Sequence, residues 1–341
     1  MRIGITGLPG SGKTTCFRVL SGQHPADTHH GVAIASVPIP DPRLDKIAQS
    51  ENPKKVSYAD VTFVDFEGQH AVDRRLASEV DALALVIQCF GDLDCRGEPL
   101  DPVADFETIL LEMALSDLKV VEGAIDRLNK GPKADRKPQV MDLLQRCRDH
   151  LSAGGSLRHL EMGAEDARYL RGFAPLTMMP LLVVCNVAED DLRGGRARCV
   201  GEQAEDLGLP HIEFCAELEE EIAELSVEDQ AAFLADYGLE SSARDRFLRA
   251  CFEILDLITF FTTNNNEARA WTLPRGTHAP QAAGRVHSDL EHGFIRAEVT
   301  SFKHFEQVGS MHDCKAQGYT RVEGKDYVVQ DGDILQIRFS R

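Results

Sequence analysis

The sequence lacks features that mark several other classes of protein. It has no C-x-x-C pair among its nine cysteines and no apolar run of the length that crosses a membrane. The N-terminus starts directly with a strand-like run, where a signal peptide would need a basic and then an apolar segment. We therefore expect a cytoplasmic protein with reduced thiols, no structural zinc and no membrane partner.

Basic residues are also scarce. The 341 residues include 37 Lys and Arg against 55 Asp and Glu, and the net charge of −18 argues against bulk affinity for nucleic acid. This charge is uneven, because residues 202–256 carry 16 acidic and 3 basic side chains, whereas residues 126–158 carry 4 acidic and 8 basic ones. Only the second stretch suits a polyanion such as RNA.

One stretch near the N-terminus has an evident chemistry. Gly7-Leu8-Pro9-Gly10-Ser11-Gly12-Lys13-Thr14 matches G-x-x-x-x-G-K-[ST], between a β-leaning run at 2–6 and a helical run at 15–20. Glycines let backbone N–H groups converge on a β-phosphate, and the helix N-terminus adds its positive dipole end. The predicted ligand is the Mg²⁺ complex of a nucleoside triphosphate.

Two side chains of this P-loop have distinct predicted roles. We expect Lys13 to bridge the β- and γ-phosphates and to stabilise the transferring charge, and Thr14 to place its hydroxyl on Mg²⁺. The other predicted nucleotide contacts in this region are Gly7, Pro9, Gly10, Ser11, Gly12 and Thr15.

A second motif begins where the apolar run 61–64 ends on Asp65, which with Gly68 fits D-x-x-G. In P-loop NTPases such a carboxylate holds Mg²⁺, usually through water, and the glycine N–H meets the γ-phosphate. Gln69 and His70 follow, and either side chain could position the attacking water. An exposed loop or helix start explains both residues equally well.

A threonine that senses the γ-phosphate through Mg²⁺ is expected in the polar segment after the P-loop helix. Thr28 is the sole threonine between Thr15 and Thr62, so it is the candidate for this switch and metal contact.

The base side of the site is predicted from the strand at 181–185. It ends in Asn186-Val187-Ala188-Glu189, where GTPases carry N-K-x-D, whose aspartate accepts two hydrogen bonds from guanine. A glutamate is one methylene longer and cannot reproduce that geometry without rearrangement, which weakens guanine specificity and favours adenine. A further strand-like run at 211–217 adds Cys215, Ala216 and Glu217 as predicted base-side contacts.

The remaining patterns predict the architecture. The apolar run at 83–90 is typical of a buried parallel strand, and helical spacings at 106–128 and 140–151 flank a polar breaker at 131–138. This predicts an antiparallel helical hairpin inserted into an α/β domain with a mostly parallel sheet; two helices packed within one core are the alternative. Short strand and turn signals beyond 258 predict a C-terminal α+β module.

The motifs together resemble those of the YchF or Obg-like ATPase family, and the resemblance covers essentially the whole chain. The matching segments are the P-loop, Pro40-Asp41-Pro42-Arg43-Leu44, Asn186-Val187-Ala188-Glu189, residues 221–225, 268–272, 292–298, 323–327 and 331–333. The resemblance implies a TRAFAC-class P-loop ATPase with a coiled-coil insertion and a C-terminal TGS domain of β-grasp fold. It also implies a ribosome-associated regulator of translation or stress responses.

This resemblance implies further assignments. The N-x-x-E match at Asn186 and Glu189 indicates ATP over GTP, and Phe90 occupies the position of a family phenylalanine near the base. We expect a nucleotide domain at 1–100 and 176–257, the helical insertion at 101–175, the TGS domain at 258–341, and a monomer. Two alternatives stay open, namely a GTP-binding GTPase and a nucleotide-sensing scaffold with little turnover.

The sequence departs from the family pattern near the phosphates. Gly10-Ser11 replaces Asn-Val, Gln69 replaces a hydrophobic residue, and the segment after D-x-x-G is shortened. A histidine that the family carries before the helical insertion has no counterpart between Phe90 and Asp101. We expect these departures to leave nucleotide binding little affected. They change residues expected to act in the family's mechanism of hydrolysis.

The basic breaker of the insertion generates a prediction. If ribosomal RNA contacts the hairpin, co-sedimentation with ribosomes should weaken as salt rises, because binding to phosphates releases counterions. Reversing the charges of Lys133, Arg136 and Lys137 should weaken it further at fixed salt. Unchanged co-sedimentation of this triple variant would remove the hairpin from the contact surface.

Overall fold

The computed structural model of the chain describes residues 1–22, 32–66, 74, 78–131, 137–192, 195–239 and 241–340. Contacts group the chain into two compact units. The first unit comprises Arg2–Ala35 and Thr62–Ile254; the second comprises Met1, Ser36–Val61 and Leu255–Arg341. Among the helices of these described ranges, none is long and apolar enough to span a membrane.

The strands and helices are numbered in chain order. The strands are β1 (Arg2–Thr6), β2 (Val32–Ile39), β3 (Lys55–Ser57), β4 (Ala59–Phe66), β5 (Ala82–Cys89), β6 (Leu181–Val187), β7 (His211–Phe214), β8 (Leu257–Thr263), β9 (Glu267–Pro274), β10 (Phe294–Ser301), β11 (Arg321–Glu323) and β12 (Asp333–Phe339). The helices are α1 (Lys13–Ser21), α2 (Pro42–Glu51), α3 (Pro102–Lys130), α4 (Pro138–Ser152), α5 (Ala164–Arg171), α6 (Gly195–Asp206), α7 (Ala216–Glu224), α8 (Val227–Asp236), α9 (Ala243–Ile254), α10 (Ala279–Val286), α11 (Ser288–His292), α12 (Phe302–Val308) and α13 (Met311–Ala316).

A six-stranded sheet in the order β2-β4-β1-β5-β6-β7 organises the first unit. The pairs β1–β4, β1–β5, β5–β6 and β6–β7 are parallel. Every residue of β5 and β6 is buried, as expected for parallel strands covered on both faces. The predicted α/β class with a mostly parallel sheet is therefore confirmed. Parallel pairing also brings the carboxyl ends of β1, β4, β5 and β6 to one edge of the sheet.

The two predicted helices of the insertion are present as α3 and α4. Helix α3 starts at Pro102 after Asp101, whose carboxylate accepts a hydrogen bond of 3.1 Å from the Ala104 N–H. The first half of α3 buries Phe106 in the core of the sheet. Its second half packs on α4, with Ile125 and Leu144 in one apolar cluster. The root of the insertion thus shares the core of the sheet, and its tip at 132–136 lies outside the described residues.

The second unit contains a sheet in the order β11-β10-β12-β8-β9-β3. Antiparallel pairs join β8 to β9 and β10 to β12, while β12 and β8 are parallel. Helix α10 packs Ala282 and Ala283 into the core beneath this sheet, so the predicted C-terminal α+β module is present.

Residues 36–61 group with this second unit, although the sequence analysis assigned them to the nucleotide domain. Strand β3 pairs in parallel with β9, and Arg43 of α2 donates a 2.7 Å hydrogen bond to Asp331. These partners lie more than 200 residues away along the chain, so no local pattern could have indicated them. The division into three domains stays a prediction.

Candidate nucleotide-binding site

The P-loop connects β1 to α1 and depends on glycine at two close approaches. Gly7 and Gly12 have φ angles of 148° and 89°, which disfavour residues with a side chain. A Cβ on Gly7 would clash with the carbonyl oxygen of Val86, and one on Gly12 with the side-chain amide of Asn186. The loop therefore lies directly against the ends of the neighbouring strands.

Asn186 holds this loop from the end of β6. Its side chain is buried, with 4% exposed, and its Nδ2 donates a 3.0 Å hydrogen bond to the carbonyl oxygen of Ser11. That bond engages a carbonyl oxygen of the loop and none of its N–H groups, which are the groups that bind phosphate in P-loops. Asn186, which the sequence analysis assigned to the base side, thus contacts the P-loop backbone.

The structure brings together Lys13, Thr14 and Asp65, the residues that the motifs assign to the phosphates and Mg²⁺. The Lys13 Nζ donates a 2.9 Å hydrogen bond to the carbonyl oxygen of Leu8. Burial lowers the pKa of Lys13, and the nearby carboxylate of Asp65 opposes that shift. The Thr14 hydroxyl donates to Oδ2 of Asp65 at 3.2 Å, and Asp65 is 3% exposed at the end of β4.

This pair of oxygens fits Mg²⁺, which prefers hard oxygen ligands and usually keeps several water or phosphate ligands. In the described ranges, no group of three or more His, Cys, Asp and Glu side chains could hold a metal ion. A cation at Thr14 and Asp65 would therefore need oxygens from water or a bound phosphate to complete its coordination.

Phe90 and Glu189, which the sequence analysis assigned to the base side, follow the ends of β5 and β6. Phe90 directly follows β5, and its ring edge lies 3.8 Å from a Cβ built on Gly12. Glu189 opens a short 3-10 turn after β6, and its carboxylate accepts a hydrogen bond from the Tyr237 hydroxyl. This bond raises the pKa of Tyr237. Tyr237 therefore orients the carboxylate that the sequence analysis selected for base recognition.

Other predicted base-side residues differ in exposure. Val187, Cys215 and Ala216 are buried. Glu217 is exposed in the first turn of α7, although the sequence analysis placed it in a strand. That strand, β7, ends at Phe214.

The remaining predicted residues of the P-loop region are accessible or outside the description. Pro9 and Gly10 are exposed, and Thr15 is half-buried at the start of α1. The switch candidates Thr28, Gly68, Gln69 and His70 lie outside the described residues, and their roles stay predictions.

The sequence analysis missed two residues that shape the site. Tyr237 follows α8, 48 residues after Glu189, and no motif links them. Gln88 carries a visible signal, because it is the one amide inside the apolar run of β5. Its Nε2 donates to the carbonyl oxygens of Phe90 and Leu93, both at 3.1 Å, and fixes the loop that follows the strand.

Comparison with known proteins finds relatives over the full length. The chain is 37% identical to the ribosome-binding ATPase YchF of Haemophilus ducreyi, over 99% of each protein. It is 34% identical to the protein of the same name from Bacillus subtilis, over 99% of this chain and 98% of that protein. It is 32% identical to Obg-like ATPase 1 of Oryza sativa subsp. japonica, over 100% of this chain and 92% of the relative.

Two further comparisons agree. Residues 257–340 match the family model YchF-GTPase_C, described as a protein of unknown function (DUF933). The fold resembles the solved structure of the Schizosaccharomyces pombe YchF GTPase with a TM-score of 0.86, at 24% identity, over 99% of this chain and 97% of that chain.

The contact between Gly12 and Asn186 predicts an energetic coupling. Gly12→Ala should lower the free energy of unfolding by more than about 2 kcal/mol, because the methyl group adds a clash to the left-handed backbone penalty of roughly 1–2 kcal/mol. In an Asn186→Ala background the same change should cost only that backbone penalty. Urea unfolding of the four proteins in a double-mutant cycle measures the difference.

Gly208→Ala is the matched control for this cycle. Gly208 has a φ of 64° with open space around its Cα, so its substitution reports the backbone penalty alone. Equal costs of Gly12→Ala in the two backgrounds would contradict the close approach of Asn186.

Proposed function

The chain belongs to the YchF and Obg-like ATPase family, and on this basis we propose that it binds ATP with Mg²⁺, hydrolyses it to ADP and phosphate, and acts in association with the ribosome. Membership makes the chain a P-loop NTPase. The finer statements, ATP over GTP and the roles of single residues, are proposals that rest on the geometry of the site.

The observation that carries the proposal is the contact of the Thr14 hydroxyl with Asp65 beside the P-loop. In this contact two oxygen atoms suited to a phosphate-bound Mg²⁺ lie side by side at the carboxyl edge of the sheet, which supports the proposal. Mg²⁺ would neutralise charge on the phosphate oxygens when bound. Thr14 and Asp65 would hold it there, while the loop N–H groups bind the β-phosphate.

Lys13 is proposed to stabilise the charge that moves during phosphoryl transfer. Its ammonium lies in a partly buried site, where an ion interacts more strongly with a phosphate than it does in water. The hydrogen bond to the Leu8 carbonyl fixes the ammonium over the loop, so little reorganisation is needed when a triphosphate binds.

Glu189 supports the preference for ATP. One of its carboxylate oxygens already accepts a hydrogen bond from Tyr237, whereas guanine recognition needs both oxygens of one carboxylate. The other carboxylate oxygen, oriented by this bond, is left to accept from a single donor, such as the exocyclic amine of adenine. The proposal therefore assigns Glu189 to the adenine edge, with Phe90 near the base.

Gln69 and His70 are the proposed water-positioning residues, on sequence grounds alone. A Gln69→Leu variant that retains full turnover would remove Gln69 from this role. Loss of turnover in both single variants with intact nucleotide binding would support a shared role.

The central experiment titrates ATP and GTP analogues and measures phosphate release in the same samples. We expect tighter binding of the adenine nucleotide and ATP-dependent turnover. Lys13→Ala should reduce turnover by about 10²-fold or more, because a fixed cationic donor is lost in the transition state. Lys130→Ala, at the exposed end of α3, is the control. Tight ATP binding without turnover would favour the nucleotide-sensing scaffold, and a clear preference for GTP would refute the adenine assignment.

Tyr237 generates a separate prediction. Tyr237→Phe removes the hydroxyl that orients Glu189, and we expect the ratio of ATP to GTP affinity to fall about two- to tenfold, the size of one net hydrogen bond. Tyr169→Phe is the control, since that exposed ring packs on Phe173 in another part of the unit. An unchanged ratio in Tyr237→Phe would separate Tyr237 from base recognition.

A further inference from the structure

The loop that follows β5, at residues 90–101, is bonded to itself. An antiparallel β-bridge pairs Leu93 with Pro99, and the N–H of Asp94 donates a 2.8 Å hydrogen bond to the carbonyl oxygen of Glu98. These bonds hold the middle of the loop together. Contacts at the start of the loop, where the chain leaves β5, join it to neighbouring elements of the first unit.

Two side chains hold the start of this loop. Gln88, within β5, donates a 3.1 Å hydrogen bond to the carbonyl oxygen of Phe90. Arg196, in α6, donates from Nη1 to the carbonyl oxygen of Gly91 and from Nη2 to Oδ1 of Asp92, the second at 3.0 Å. The carbonyl oxygens of two consecutive residues are thus held by side chains from two different elements.

The position of Arg196 in its own helix does not explain this arginine. It lies in the first turn of α6, which contains no acidic residue. A cation there is unfavourable, because the positive end of the helix dipole lies at the N-terminus. Helix α6 is the next helix after the short turn that opens with Glu189. Arg196 therefore links the segment behind Glu189 to the segment behind Phe90, the two predicted contacts of the nucleotide base.

The contribution of Arg196 is one of position more than of charge. The side chain of Asp92 is 92% exposed, and an ion pair that is so open to water contributes little on its own. Gly91 has a φ of 73°, in the left-handed region that suits glycine, so the turn is permissive by itself. The hydrogen bond from Arg196 to the Gly91 carbonyl restricts this turn.

From these contacts we propose that Arg196 is a positioning residue for the nucleotide base, which acts by holding the turn that carries Phe90 beside the P-loop. The ring of Phe90 lies there 3.8 Å from a Cβ built on Gly12. The inference rests on the proposed function, because it requires a nucleotide whose base lies near Phe90. Both hydrogen bonds of Arg196 go to the turn, so its loss should reduce the contribution of the base and leave that of the phosphates.

The test separates the base from the phosphates. Calorimetry measures the affinity of the full-length protein for a non-hydrolysable ATP analogue and for tripolyphosphate, which has no base, both with Mg²⁺. Arg196→Gln should weaken binding of the analogue about three- to tenfold, the size of one net hydrogen bond, and leave tripolyphosphate binding unchanged. Arg196→Lys should recover part of this loss, because an ammonium group can still reach one of the two acceptors.

Arg198→Gln is the matched control. Arg198 lies two residues further along the same helix and pairs with Glu202 at 2.8 Å, so its loss should change neither affinity. Asp92→Asn removes the exposed ion pair and keeps the Gly91 contact, and it should weaken binding of the analogue by less than about twofold.

A double-mutant cycle asks whether Arg196 acts through the phenyl ring. In a Phe90→Ala background, Arg196→Gln should cause no further loss of affinity for the analogue. Additive losses in this cycle, or equal weakening of the analogue and tripolyphosphate by Arg196→Gln, would overturn the inference.

Failure of the proposed reaction gives a different result. A wild-type protein that hydrolyses ATP, yet binds the analogue no more tightly than tripolyphosphate, would refute the positioning role and leave the reaction intact. Absence of hydrolysis, with the preference for the analogue present and lost in Arg196→Gln, would refute the reaction and support the positioning role.

Discussion

The hydrogen bond from Asn186 to the carbonyl oxygen of Ser11 holds the P-loop in the geometry on which the site depends. A loop rich in glycine is conformationally permissive, so its own residues do little to fix one conformation. The hydrogen bond from Asn186, at the end of β6, restricts the loop, and its side chain lies too close to Gly12 for any side chain at position 12. The conformation of the P-loop backbone therefore depends on an amide far away in the sequence.

The parallel register of the sheet explains why such distant groups meet. Strand β1 pairs with both β4 and β5, and β5 pairs with β6, so the strand ends that carry the P-loop, Asp65, Phe90 and Asn186 share one edge. Because the strand ends already lie side by side, each side chain reaches the site without a long connecting loop. The loop after β5 also lies at this edge, and its Cys95 lines a cavity together with Leu8 and Ser11 of the P-loop.

Much of the fold was predictable because its signals are local. The apolar runs of β1, β4, β5 and β6 and the long periodic helix α3 were predicted within a few residues, since burial on both faces of a sheet or one face of a helix imposes a regular pattern. Strand β2 was not predicted, and residues 36–61 were assigned to the other unit. The partners that join β3 and α2 to the second unit are remote in the chain.

The sequence by itself determined that the chain carries a P-loop, because Gly7 to Thr14 are contiguous residues whose spacing sets their geometry. The motifs also identified Asp65 and Glu189 as the candidate carboxylates for the metal and for the base. Only the tertiary structure decided that Asn186 contacts the loop backbone and that Tyr237 orients Glu189. The physical reason is range: a turn or helix start is specified by neighbouring residues, whereas contacts between strand ends and loops depend on register and packing.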